Sequence, residues 1–207
     1  MATSNLITAT IPSPGAIATA AADEPLPLEL RTDVTVEELE RMSLPMIAEL
    51  YNGRIVFKMA NPLHAAIRAA ISGELYIYLG HHPLGMVFTE AHFKIWPQRP
   101  KEARVPDVSF VINERLPEDW LHFPERAPDL AVEILSPTDS FLEVMDKVDA
   151  YLQQGAKIVW LVITSKREVL VCTAEGKHSV REVLTAPDLL PDFQLPVEKI
   201  FARIKTA

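Results

Sequence analysis

Two short apolar segments of strand length each carry one carboxylate that could take part in chemistry. Asp107 stands directly before the run 108–112, and Glu133 lies within the run 130–135. Because side chains alternate along a strand, Glu133 shares one face only with small or apolar residues. A charge in such surroundings costs several kcal/mol unless another group compensates it. The two acids therefore predict either a shared metal site or two strand-end carboxylates that pair with Arg or Lys.

Two acids from neighbouring strands would suit Mg²⁺ or Mn²⁺, which prefer oxygen ligands. The backbone carbonyl of Ile134 is a candidate for a third ligand. Such an ion lowers the pKa of a bound water and stabilises charge on a phosphate. A site of this kind normally has a lysine two residues after the second acid, but Leu135 occupies that position. Lys147, further along the chain, is the nearest substitute.

A strand, a helix and a second strand are predicted around these residues. The helix over 140–154 has an apolar face at three- and four-residue spacing, and Lys147 lies on its flank, four residues before Tyr151. The run Ile158–Ile163 is apolar throughout, which is typical of a strand buried on both faces. A right-handed crossover between parallel strands is the usual topology of such a unit.

The remaining segments predict further elements of an α/β domain. Asn52-Gly53 lies between two strand-like runs, which is the strongest short signal for a β-hairpin. The other predicted elements are a helix over 64–79, strands over 86–89 and 92–96, a hairpin of strands 168–172 and 178–184, and a terminal helix over 197–204.

The 207 residues predict one domain, over 29–207, preceded by a flexible tail over 1–28. That tail is rich in Ala, Thr, Ser and Pro and lacks the basic start of a secretory signal. No apolar run approaches the roughly 18 residues of a membrane span. Cys172 is the only cysteine, which excludes an internal disulfide and favours a reducing compartment. We therefore expect a cytoplasmic protein without membrane contact.

Composition and motifs narrow the function. The formal net charge of −8 counts against a constitutive nucleic-acid binder. The sequence contains no Walker A loop, no G-x-G-x-x-G motif and no G-x-S-x-G nucleophile elbow. A basic loop with Arg99, Lys101 and Arg104 precedes Asp107. It is either a solvated turn or a set of contacts to phosphate groups.

Several motifs in the same order resemble the Uma2 family, which is grouped with restriction endonucleases. The resemblance extends from Val36 to Ile204, and its strongest part lies between Asp107 and Trp160. At the position of Asn52 the family more often has Asp. The residues that carry the resemblance are Glu49, Asn52-Gly53, His64, Val105-Pro106-Asp107, Val132–Pro137, Asp146-Lys147, Tyr151, Gly155 and Val159–Val162.

The resemblance implies a restriction-endonuclease-like fold of the PD-(D/E)XK class, with a central mixed β-sheet flanked by helices. It implies metal ligands at Asp107 and Glu133 and a displaced catalytic lysine at Lys147. It also implies supporting roles for Glu49 and His64, and a homodimer that cuts both strands of a duplex.

The sequence therefore predicts a Mg²⁺- or Mn²⁺-dependent DNA endonuclease that hydrolyses phosphodiester bonds. The alternative is a catalytically inactive binding or assembly module with the same fold, which the net charge and Leu135 favour. A glycoside hydrolase would also use two carboxylates, but nothing in the sequence indicates an aromatic-lined groove.

Overall fold

A computed structural model of the chain describes residues 26–59, 61–137, 139–202 and 204. Most of the predicted tail, residues 1–28, lies outside the described residues. Within them, ten strands and four α-helices form. The helices are α1 (Val36–Arg41), α2 (Pro62–His81), α3 (Phe141–Gln153) and α4 (Val197–Ile200). The strands are β1 (Ala48–Tyr51), β2 (Arg54–Phe57), β3 (Gly85–Thr89), β4 (Val108–Ile112), β5 (Leu130–Leu135), β6 (Ile158–Ile163), β7 (Glu168–Cys172), β8 (Lys177–Val180), β9 (Val183–Ala186) and β10 (Leu190–Pro196).

A six-stranded mixed sheet with the order β3-β4-β5-β6-β7-β8 forms the centre of the domain. Strands β5 and β6 are parallel, in a register that places Glu133 opposite Leu161. The other neighbouring pairs are antiparallel. Since α3 connects β5 to β6, the predicted strand–helix–strand unit with parallel strands is confirmed.

Helices cover both faces of this sheet. On one face, Ile67, Ile71 and Leu75 of α2 belong to the same buried cluster as Trp160, together with side chains of β9, β10 and α4. On the other face, Val148 of α3 packs in a second cluster with strand residues that include Ala131 and Leu161. The expected fold, a mixed central sheet flanked by helices, is confirmed. No helix in the described ranges is both long and apolar enough to cross a membrane.

Capping residues determine where α2 and α3 begin. The Asn61 side chain accepts a hydrogen bond from the His64 amide, and Pro62 occupies the first turn of α2. The Ser140 hydroxyl accepts from the Glu143 amide at the start of α3. Helix α2 extends to His81 and so includes Gly80, whereas the sequence predicted its end at residue 79. Glycine terminates a helix best with a left-handed backbone, and Gly80 does not adopt one.

The predicted β-hairpin at Asn52-Gly53 is confirmed. Strands β1 and β2 pair antiparallel across these two residues, which have positive φ angles of 48° and 78°. The hairpin is a separate two-stranded sheet that is joined to the rest of the chain through reciprocal backbone hydrogen bonds between Leu50 and Ala103. Its apolar side packs with α1 in a third buried cluster, against which Leu28 also lies.

Three predicted elements were wrong in extent or pairing. Segment 92–96 is not a strand, because its pairing is limited to one bridge between Phe93 and Arg104. Segment 178–184 divides into β8 and β9, and β9 pairs with β10 in a different sheet. Strand β10 was not predicted; it contains Pro191 and Pro196, which are tolerated in a two-stranded sheet. Helix α4 ends at Ile200, well before residue 204.

Candidate active site

One cleft of about 950 Å³ collects all five residues that the sequence singled out for chemistry. Its walls come from the β1–β2 hairpin, the start of α2, the approach to β4, the end of β5 and one flank of α3. The side chains in question are Glu49, His64, Asp107, Glu133 and Lys147. They are separated widely along the chain, so only the fold brings them together.

Glu133 lies on the same face of β5 as Ala131, as the strand alternation predicts, and this face packs against α3. The Lys147 ammonium group donates to its Oε2 at 2.9 Å, and the Tyr151 hydroxyl donates to its Oε1 at 2.9 Å. Both donors come from adjacent turns of one helix face. Burial raises the pKa of Glu133, and the neighbouring ammonium group offsets only part of this rise.

Lys147 bridges two acids, since its Nζ also lies 2.9 Å from Glu49 Oε1. Burial by itself would lower the pKa of Lys147, but the carboxylates of Glu133 and Glu49 outweigh it and hold the pKa well above its usual value. Its surroundings therefore favour the charged form of the side chain. The positive charge of Lys147 determines what chemistry this side chain can perform.

Glu49 projects from β1 and connects the hairpin to the segment before β4 and to α3. Its Oε1 accepts a hydrogen bond of 2.9 Å from the Val105 amide, and its Oε2 accepts one of 2.9 Å from the Tyr51 hydroxyl. Burial would raise the pKa of Glu49, but the positive charges of Lys147 and Lys58 lower it below its usual value. Glu49 is consequently an ionised, fully hydrogen-bonded carboxylate.

Asp107 is held directly before β4 by three donors. Its Oδ2 accepts from the Ile134 amide at 2.7 Å, and its Oδ1 lies 2.7 Å from Lys58 Nζ and 3.1 Å from His64 Nε2. Burial would raise the pKa of Asp107, but the hydrogen bond from His64 and the charge of Lys58 bring it well below the usual range. The other ring nitrogen of His64 lies 3.4 Å from the Ser136 hydroxyl, which fixes the ring.

Lys58 is the residue of this site that the sequence analysis missed. Besides contacting Asp107, its ammonium group donates to the Val105 carbonyl at 2.7 Å. No local pattern indicated what Lys58 would contact, because its partners lie 47 and 49 residues further along the chain. Each of the two acids thus pairs with a lysine, which was one of the two sequence alternatives.

The donor set is of the type that a divalent ion requires. Asp107, Glu133 and Glu49 offer hard oxygen ligands, which Mg²⁺ and Mn²⁺ prefer. Among the described residues, however, no group of three or more His, Cys, Asp and Glu side chains is arranged to hold a metal ion. Ammonium groups instead contact both acids, with Lys58 2.7 Å from Asp107 and Lys147 2.9 Å from Glu133. The chemistry of these oxygen donors would suit such an ion, provided that a lysine withdrew from its carboxylate.

The predicted basic loop is divided by the fold. Arg99 is exposed and stacks on Trp96, with 5.0 Å between its guanidinium carbon and the ring centre, and Lys101 is half-buried. Neither lines the cleft. Arg104 is buried and forms a 2.8 Å ion pair with Glu102. Its guanidinium also donates to the Leu50 carbonyl at 2.6 Å, so protein groups hold this charge.

Comparison with known proteins supports the resemblance to the Uma2 family. The family model described as "Uma2: Putative restriction endonuclease" matches residues 36–198. A solved structure described as "a putative nuclease belonging to DUF820 from Anabaena variabilis ATCC 29413" is similar, with a TM-score of 0.68. It is 22% identical over 82% of this chain and 98% of that chain, so the likeness concerns the fold. No curated protein matches the chain. Because the family match covers most of the sequence, from α1 to α4, the chain belongs to the Uma2 family.

Proposed function

We propose that this protein is a Mg²⁺- or Mn²⁺-dependent endonuclease that hydrolyses phosphodiester bonds in DNA. The observation that carries the proposal is the meeting of Asp107, Glu133 and Lys147 in one cleft, from three separate elements. Family membership supports a nuclease. Two acids and a cation are the groups that phosphodiester hydrolysis needs, because it develops negative charge on oxygen.

Asp107 and Glu133 would hold the ion, with the Ile134 carbonyl as a further oxygen ligand. When bound, such an ion lowers the pKa of a water molecule and stabilises the charge that develops on the phosphate. The protein groups around the two acids orient them. Tyr151 holds one oxygen of Glu133, and His64 holds one oxygen of Asp107. Glu49 supports the site through its contact with Lys147.

Lys147 would act as a fixed positive charge. The carboxylates of Glu133 and Glu49 raise its pKa, which favours the charged form and disfavours a role as general base. Its side chain is only 11% exposed, so its charge is poorly screened by solvent. A phosphate that enters the cleft would receive a hydrogen bond from this ammonium group, which stabilises added negative charge.

Arg99 and Lys101 remain candidates for contacts to DNA phosphates, because neither has the buried ion pair that holds Arg104. With a net charge of −8, the protein should bind DNA weakly and chiefly at low salt. A homodimer would place two sites on one duplex. The single cysteine, Cys172, is a buried free thiol, which is compatible with the reducing cytoplasm.

A plasmid-nicking assay tests the proposal. The protein is incubated with supercoiled plasmid and Mn²⁺, with and without a chelator, beside the Glu133→Gln variant. We expect nicking that needs both the ion and Glu133. Nicking that persists in chelator, or in the variant, would contradict the proposal, since it would point to a contaminating nuclease or to a different site.

The second candidate is a binding module without catalysis. Two observations favour it: Leu135 occupies the position where the lysine of the motif is expected, and lysines neutralise both acids. In that case the protein would shift labelled DNA in a gel without cleaving it, at any Mn²⁺ concentration.

A further inference from the structure

Lys58 has two protein partners in the cleft, and both belong to the segment that carries Asp107. Its ammonium group lies 2.7 Å from the Val105 carbonyl oxygen and 2.7 Å from Asp107 Oδ1. An ammonium group has three donor positions, so at least one remains for the cleft that Lys58 lines. The side chain is 16% exposed, which leaves it room to withdraw towards solvent.

The Asp107 carboxylate has no oxygen free of protein donors. Its Oδ2 faces the Ile134 amide, which is part of the β5 backbone and cannot leave without breaking the sheet. Its Oδ1 faces His64 and Lys58. Oδ1 faces the cleft side chains, and Lys58 is the charged group that already lies against it, so a cation that binds Asp107 through Oδ1 competes with Lys58.

The net charge of the site also indicates that Lys58 opposes the binding of a divalent cation. Glu49, Asp107 and Glu133 face the ammonium groups of Lys58 and Lys147, which leaves one net negative charge when His64 is neutral. Without Lys58 the cluster would carry two negative charges and attract a divalent cation more strongly. Poor solvation in the cleft increases the size of this difference.

We propose that Lys58 is an internal competitor of the divalent ion: its ammonium group occupies the Asp107 oxygen that the ion would bind, and it thereby sets the metal affinity of the site. This inference rests on the proposed metal-dependent function. In this proposal Lys58 competes with the ion for Asp107, whereas Lys147 supplies a positive charge to the phosphate. Metal loading then requires the exchange of one cation for another at Asp107 Oδ1.

Direct counting of free Mn²⁺ by its electron paramagnetic resonance signal, without DNA, tests the inference. Lys58→Met removes the charge at similar length, and Lys58→Gln removes it but keeps an N–H donor for the Val105 carbonyl. Both variants should bind Mn²⁺ more tightly than the wild type, by roughly tenfold or more. Lys58→Arg keeps the charge and should stay near the wild-type affinity. Two neutral variants guard against one that does not fold, and circular dichroism checks each of them.

Lys94→Met is the matched control. Lys94 forms a 2.8 Å ion pair with Glu125 and is 13% exposed, much like Lys58, but it lies outside the cleft. Its loss should leave Mn²⁺ affinity unchanged, which would show that total charge is not the cause. If the wild type binds Mn²⁺ and the neutral Lys58 variants bind it equally or more weakly, the inference fails and the proposed function stands. If neither the wild type nor any Lys58 variant binds Mn²⁺, both fail.

Discussion

The two carboxylates at the centre of the cleft are held by different kinds of structure. Glu133 receives both side-chain partners from α3, only 14 and 18 residues further along the chain. Asp107 depends on Lys58, which lies 49 residues earlier in the hairpin region, and on His64 of α2. The β5–α3 half of the site is thus one local unit, whereas the Asp107 half exists only when distant elements pack together.

The pKa values of the two acids are also shifted in opposite directions. Interactions with His64 and Lys58 lower the pKa of Asp107 despite its burial. Burial raises the pKa of Glu133, although Lys147 opposes the rise. Asp107 is therefore stabilised as an anion by its surroundings, whereas Glu133 retains a desolvation cost that a further cation could relieve. Substitutions on each side of the cleft can test this difference.

Glu133→Gln should have the largest effect. We expect it to abolish DNA cleavage and the stabilisation by Mn²⁺, which for the wild type is roughly 2.7 kcal/mol at about a hundred times the dissociation constant. For a chain of this size that corresponds to about 5–11 °C in melting temperature. In chelator the variant should melt at or above the wild type, because the amide keeps polar contacts while the buried charge is lost. Thermal melts with and without Mn²⁺ measure both effects.

Glu118→Gln, at an exposed position, is the control for this experiment and should behave like the wild type. If Glu133→Gln instead melts lower in chelator and still gains fully from Mn²⁺, Glu133 serves only as the ion-pair partner of Lys147.

Lys147→Met should lower the turnover of plasmid by roughly 10²-fold or more, the range for one positioned catalytic group. It should also destabilise the fold by about 3–5 kcal/mol, because Glu49 and Glu133 would remain buried without their shared cation. Urea unfolding in chelator measures the second effect.

Adding Glu133→Gln to Lys147→Met should restore part of the lost stability, since one of the two unpaired charges is then removed. Lys157→Met, on the exposed surface, is the control. Equal stability losses in the single and double variants would show that Lys147 does not act through Glu133.

The contributions of the two acids to the free energy of unfolding should change with pH in opposite directions. The folded-state pKa of Asp107 is lowered, so its stabilising contribution is present above the unfolded value of about 3.9 and is lost as the pH falls towards the folded value. The folded-state pKa of Glu133 is raised, so the wild type should lose stability relative to Glu133→Gln as the pH rises above about 4.3.

Chemical denaturation of the wild type, Asp107→Asn and Glu133→Gln across the acid range, in chelator, provides the two difference curves. The comparison of the two acids would be incorrect if both curves sloped in the same direction.

Removal of Arg99 and Lys101 should have the smallest effect. If both contact phosphates, the double alanine variant should flatten the dependence of log affinity on log salt by at most about two units of slope. DNA binding measured by fluorescence anisotropy at several salt concentrations shows this change. Arg104→Ala should instead lower the stability, because Glu102 would lose its buried partner. A slope equal to that of the wild type would exclude Arg99 and Lys101 from DNA contacts.

The local half of the fold and of the site could be predicted from the sequence. The alternation in β5 placed Glu133 on the same face as Ala131 and Leu135, and the four-residue spacing of Lys147 and Tyr151 placed both on one flank of the following helix. Asn52-Gly53 indicated the hairpin because few residue pairs tolerate the left-handed backbone that such a turn requires. These features can be predicted because local steric preferences and side-chain periodicity depend directly on the order of residues.

The remaining predictions failed where distant contacts decide the outcome. Segment 92–96 has strand-like residues, but its pairing ends at a single bridge to Arg104. Strand β9 pairs outside the central sheet with β10, a strand that was not predicted. In both cases the local propensity was suitable for a strand, and the choice of partner depended on the packing of the whole domain.

The sequence by itself determined the two acids, the helix that supplies Lys147 and the mixed α/β architecture, because these depend on residue type and on spacing within one element or between neighbours. Only the tertiary structure decided that Lys58 meets Asp107, that Lys147 bridges Glu49 and Glu133, and that Arg104 is held inside by Glu102. The sequence does not show which residue will pair with a charged side chain on a strand. The partner is determined when folding brings another element within about 3 Å, and no local pattern indicates which element that will be.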